Sequence, residues 1–249
     1  MKKIIFITFL TIYSFVTAQN INGTILYGKI NATLDLKNFP AEMKALAEKA
    51  NIDSNKIDYT LNFIDNESYF FANQILLEDQ SKFVPYVTIG GGKLKYYQNT
   101  TTKEYREFKE STRTGKTIVD SKENYEWTLE NEFKIIDGYK CYKAISPYIN
   151  QDGIKNSDPK FNIIAWYTPQ IPVSLGPIGY GDLPGLIMEL QKPDVTFFVK
   201  KINLNLNQIP FIDKLTFIKA ISRKQLLEMA KKTMTVEQLE AVEASEKKQ

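Results

Sequence analysis

Histidine is absent from this chain, and cysteine occurs once, at Cys141. That removes Ser-His-Asp triads, HExxH zinc sites and histidine acid–base chemistry. A catalytic thiol needs an activating base, so Cys141, lying between Tyr139 and Ala144, reads as a small buried apolar residue. Carboxylates are the remaining acid–base groups, and Asp182, Glu189 and Asp194 are those worth naming. A carboxylate pair can hydrolyse glycosides. Asp182, however, sits in a turn, where Asp commonly bonds its own backbone, and Glu189 reads as pointing outward from a strand. No catalytic residue, metal ligand or cofactor is assigned. Gly90-Gly91-Gly92 precede Lys93, but Leu94 follows where a phosphate loop needs Ser or Thr. The segment reads as a turn.

Binding chemistry is better represented. The span Ala165–Leu190 holds four glycines and four prolines between two strand-like runs. Glycine supplies positive φ and proline locks φ, so the span reads as a defined loop. Candidate ligand- or partner-binding residues are Trp166, Tyr167, Tyr180, Leu183, Pro184 and Gly185. The competing reading is architectural: Leu183, Leu186 and Ile187 anchor the loop in the core, and Pro184-Gly185 makes a type II turn.

The elements that must position these residues are mostly strands. Leu26, Gly28, Ile30, Ala32 and Leu34 alternate with polar residues, as do Ile57, Tyr59, Leu61 and Phe63. Hairpin turns are expected at Asp65-Asn66, Thr114-Gly115-Lys116 and Asp137-Gly138. Val195, Phe197 and Val199 hold one face, whereas Ile202, Leu204 and Leu206 follow after an odd step. That offset predicts a β-bulge near Lys200-Lys201. A helix is expected over 40–50, and Ser222-x-x-Gln225 and Thr235-x-x-Gln238 predict capped C-terminal helices over 222–245. The fold class is therefore mainly β (α+β): a curved antiparallel sheet of about eight to ten strands with helices on one face.

Lys2-Lys3, the apolar run Ile4–Val16 and the small residues ending at Ala18 form an export signal, too short to span a bilayer. Residues 1–18 are expected to be removed, leaving a single β-rich domain over 19–249 without a transmembrane segment. No cysteine follows the cleavage point, which disfavours a lipoprotein. The formal charge of +3 becomes about +1 without the two signal lysines, which argues against a nucleic-acid partner.

Two blocks carry a family resemblance. One is Trp127-Thr128-Leu129 followed by Ile135–Ala144; the other is Ala165–Thr168 through Ile171-Pro172, Gly176-Pro177 and Leu183-Pro-Gly-Leu-Ile187. Together they resemble the GLPGLI family of secreted Bacteroidetes proteins, with Asp182 where that family usually has glycine. The resemblance implies an exported β-rich protein and carries no catalytic assignment. The architecture is also similar to the unclosed half-barrel of periplasmic lipoprotein carriers, an analogy of fold alone. The expected function is non-enzymatic binding of a hydrophobic ligand (acyl chain, lipid or peptide) in the periplasm or outside the cell. The alternative is a structural or interaction component of an envelope assembly.

Overall fold

The structure is a computed structural model. It describes residues 21–32, 44–45, 48, 51–52, 55–73, 93–111, 113–120, 122–149 and 155–234. Residues 1–18, the triple glycine and the helix expected after Thr235 lie outside them. Of the helix expected over 40–50, Lys44, Ala45 and Glu48 are helical, as are Asn51 and Ile52.

Twelve strands form one sheet. They are β1 (Asn22–Asn31), β2 (Tyr59–Ile64), β3 (Glu67–Ala72), β4 (Lys95–Asn99), β5 (Glu104–Ser111), β6 (Gly115–Asp120), β7 (Thr128–Ile136), β8 (Tyr139–Ser146), β9 (Ile163–Thr168), β10 (Leu186–Gln191), β11 (Val195–Leu204) and β12 (Ile221–Ser222). Their order is β12-β6-β5-β4-β3-β2-β1-β11-β10-β9-β8-β7. Two meanders, β1–β6 and β7–β11, thus meet at the antiparallel β1–β11 pair. Asp137 and Gly138 both take positive φ, 48° and 79°, which fits a two-residue turn between twisted strands. The predicted bulge is present: Leu26 pairs with Lys201 and Tyr27 with Val199, leaving Lys200 extra.

Connectivity forces curvature. β6 and β7 lie ten strand steps apart in the sheet, about 48 Å along its surface. Eight residue steps join Asp120 to Thr128, and these reach at most about 29 Å. The sheet must curl until that chord fits, and its described residues 122–127 cross the concave side. The result is a curved open sheet rather than a closed barrel.

Each face is covered differently. The concave face carries an aromatic core in which Tyr59 stacks on Phe70 at 5.4 Å and meets Phe197 edge-on at 5.3 Å. Such pairs add about 0.5–1.5 kcal/mol each beyond their burial. The connection between β9 and β10 folds back into this concavity, burying Ile171, Val173, Leu175, Ile178, Tyr180 and Leu183. On the convex face the strap 205–220 runs from β11 across to β12. Its Leu215 is fully buried against Tyr69, Tyr97, Phe108 and Ile118. Arg106 Nη1 donates to Lys214 O at 2.8 Å and Asn62 Nδ2 to Phe211 O at 2.8 Å, tying strap to sheet.

Two departures from the sequence expectation follow. The strap, which has no helical periodicity, covers the convex face, and the sequence does not predict it. It also carries the chain from β11 to the far end of the sheet, where β12 pairs parallel with β6. The helix α1 (Arg223–Lys231) then starts from a capping box, Ser222 with Gln225, as predicted. Among the described residues, no helix is long and apolar enough to cross a membrane.

Candidate functional site

The loop that dominates the sequence reading is held by its own backbone. Leu175 bridges Gly181, Asp182 N donates to Ser174 O at 3.2 Å, and Leu186 N and Ile187 N donate to Ile171 O and Leu175 O, both at 3.0 Å. Tyr27 Oη donates to Ile187 O at 2.6 Å, fixing the loop exit to β1. Gly185 N donates to Leu183 O at 2.8 Å, so Pro184 centres a three-residue turn instead of the type II turn expected. Gly185 has φ of +151°, and a Cβ there would lie 2.1 Å from Thr168 O. The turn needs glycine for close approach.

The six candidate residues are placed as follows. Trp166 points to the convex face, covered by the Lys134 and Lys143 ammonium groups at 4.4 and 5.8 Å from its ring centroid. Tyr167 is buried against Tyr142 across the strand pair. Leu183 and Gly185 are buried and Pro184 is exposed at the turn. Tyr180 is buried and stacks on Tyr125 at 5.2 Å. The structure does not bring the six onto one surface, and Tyr180 borders a cavity. Nor do the three named carboxylates converge. Asp182 takes the left-handed conformation, φ 60°, pairing with Lys122 and accepting from Tyr125 Oη at 3.2 Å. Glu189 pairs with Lys134 at 2.7 Å on the convex face. Asp194 is exposed beyond β10. Cys141 is buried and burial pushes its thiol up to about 11.

That cavity lies on the concave side, with a volume of about 210 Å3. Several separated pieces of chain build it. β4 and β5 supply Tyr96, Glu107 and Lys109, inward-facing at cross-strand positions. The chord supplies Lys122, Glu123 and Asn124; the folded-back loop supplies Tyr180; and α1 supplies Arg223 from its first position. Tyr148, Ile149 and Lys192 complete the wall. Ile178 holds a left-handed backbone, φ 48° and ψ 39°, costly for a β-branched residue. Its burial and the Tyr180 N to Pro177 O bond of 3.1 Å hold the turn that aims Tyr180 inward.

Glu107 is the central group, only 5% exposed. Its Oε1 accepts from Tyr96 Oη at 2.8 Å and Lys109 Nζ at 2.7 Å. Its Oε2 is buried with no hydrogen-bond partner. Arg223 Nη2 lies 3.9 Å from that oxygen, and 2.9 Å from Glu123 Oε1. The two carboxylates therefore lie within about 7 Å of each other, across one guanidinium nitrogen. Burial, and then the charges of Glu107 and Glu123, push the Tyr96 phenol well above its ordinary range. Burial does the same to Tyr180. Tyr96 and Tyr180 are therefore neutral phenols. Two more buried polar atoms lack partners, Gln98 Nε2 and Tyr105 Oη, and these residues pair across β4 and β5 beside Glu107.

Sequence reasoning missed Glu107, Glu123, Lys192 and Arg223. The available signal was faint: Glu107 falls in phase with Tyr105 on β5, a charged residue at an inward position of an alternating strand.

Residues 149–189 match a family described as "Protein of unknown function (Porph_ging)". The match runs from the cavity wall at Ile149 through β9 and the folded-back loop into β10. No curated protein matches. Among the solved structures that are similar are two of PNGF-II, in a C2 and in a P21 space group, at 14% and 16% identity, each with a TM-score of 0.49. They cover 85% and 86% of this chain, which spans about a third of their length.

Proposed function

We propose that this chain is an exported, GLPGLI-like binding protein of the cell envelope that takes a small polar ligand in the concave cavity. The reading rests on one observation: Glu107 Oε2 is buried at the cavity without a hydrogen-bond donor. Leaving such an acceptor unmade costs about 1–3 kcal/mol, more for a charge, and a ligand donor would recover that. The hydrophobic occupant expected from sequence is replaced here by a polar one, because the chain's own loop fills the apolar concavity. Mature protein isolated from the exporting cell should begin at Gln19. It should carry a bound small molecule by native mass spectrometry, reduced in Glu107→Gln. An intact apolar leader, or a bare protein in both forms, would overturn the reading.

A second reading, an interaction component of an envelope assembly, is favoured by β7. This strand ends the sheet, and Leu129, Phe133 and Ile135 on one of its faces are 55%, 55% and 62% exposed. A free apolar edge can accept an added strand. Phe133→Lys should then abolish co-purification of a partner without altering the cavity ligand; unchanged co-purification would refute it.

A further inference from the structure

The chemistry of the cavity wall defines what it would hold. This inference rests on the proposed binding role of that cavity. Four cationic side chains border it, Lys109, Lys122, Lys192 and Arg223, against two carboxylates, Glu107 and Glu123. Three of the cations already have carboxylates: Lys109 on Glu107, Lys122 on Asp182, and Arg223 on Glu123. Lys192 has none among the described residues. Its backbone is held in the β10–β11 turn, where Lys192 N donates to Val195 O at 2.8 Å, so the root of its side chain is set at the cavity wall. Two open valences thus remain in one cavity: a positive donor at Lys192 and a buried acceptor at Glu107 Oε2.

A ligand must satisfy both. A pure anion would satisfy Lys192 but bring a like charge toward Glu107 Oε2 without supplying the donor that this oxygen lacks, and a buried like-charge contact is unfavourable. A pure cation would meet a wall with twice as many cations as carboxylates. A neutral polyol would leave the ammonium without its counter-charge. Size limits the choice further. About 210 Å3 is the volume share of about seven water molecules at ~30 Å3 each. Tyr96 and Tyr180 supply neutral phenol rings as walls for the carbon skeleton.

We propose that the cavity binds a small carboxylate that also carries an N–H or O–H donor, as an α-amino or α-hydroxy acid does. The carboxylate pairs with Lys192, and the amino or hydroxyl group donates to Glu107 Oε2. Arg223 then stays on Glu123 and closes the side of the cavity beneath α1.

Calorimetry on the full mature protein tests this with five probe sets. They are the L-amino acids, the hydroxy acids lactate, malate and gluconate, acetate, the amines ethanolamine and putrescine, and the neutral sugars glucose and N-acetylglucosamine. At least one amino or hydroxy acid should bind, with acetate and the amines at least tenfold weaker. Lys192→Met should weaken that binding at least tenfold. Glu107→Gln, which keeps the side-chain shape, should weaken amino acids at least tenfold, and thermal melts of both variants should confirm an intact fold. A neutral sugar or amine that binds best and loses affinity in Glu107→Gln would overturn the ligand class and leave the cavity as the site. Binding by no probe, or binding indifferent to both substitutions, would overturn the ligand class and the binding role together.

Discussion

Gly185→Ala isolates what the folded-back loop contributes. The structure supplies two costs. An alanine at φ +151° occupies a region that is essentially glycine-only, at about 1–3 kcal/mol. Its Cβ would also lie 2.1 Å from Thr168 O, 2.4 Å from Thr168 C and 2.8 Å from Pro169 N. All three are backbone atoms, so no side-chain rotation relieves the overlap. The turn 183–185 must move off β9, at about 1–3 kcal/mol for overpacking. The expected loss is about 4 kcal/mol. Gly138→Ala is the matched control, since Gly138 also has positive φ, +79°, but nothing lies within 4 Å of its Cβ position. It should cost about 1–2 kcal/mol. For a chain of this size Tm moves about 2–4 °C per kcal/mol, so Gly185→Ala should melt about 4–12 °C below Gly138→Ala. The two are compared by differential scanning calorimetry at one pH. Melting within about 2 °C of each other would refute the claim that the turn is wedged against β9.

Leu215→Ala should cost about 2–5 kcal/mol, because it empties the fully buried anchor of the strap; urea titration reads this, and a loss under about 1 kcal/mol would mean the strap is not part of the core. Cys141 should resist thiol reagents in the native state at pH 8, since burial raises its thiol to about 11; labelling as fast as in denaturant would contradict its placement. Lys29 is 3% exposed, and burial lowers its ammonium to about 8, with Asp194 opposing. Its folded value lies below the unfolded 10.5, so the unfolded chain binds more protons between these values and stability should rise with pH across 8 to 10. Lys29→Met should remove that rise; an unchanged slope would show that Lys29 is not the group responsible.

Much of this architecture is legible in sequence because period-two alternation and turn chemistry are local. Tyr139–Ser146 and Leu186–Gln191 are strands over the residues expected, and the offset between Val199 and Ile202 marks the bulge at Lys200. β7 is less legible because Glu130–Lys134 does not alternate, and the strand carries a register shift there. The strap was illegible for a different reason. Residues 205–220 have neither period: Leu215 is fully buried and Ile212 and Ile218 pack beside it, while Ile209, Phe211 and Phe217 are exposed. The candidate cavity lay further still from view. Glu107, Glu123, Lys192 and Arg223 come from four separate elements, and no spacing along the chain brings them together. What joins them is the curl of the sheet, set by a seven-residue chord between its distant strands β6 and β7. Motif density instead drew the reading to Trp166–Gly185, where most of the side chains fill the core.

The most direct test of the binding role is a crystal structure of mature protein taken from the exporting cell without added ligand. The account predicts density from a non-protein group in the concave cavity, with a donor atom within about 3 Å of Glu107 Oε2 and contact to Lys192. A cavity holding no such group, with the Arg223 guanidinium turned from Glu123 onto Glu107 Oε2, would show the buried carboxylate satisfied by the chain itself and would contradict it.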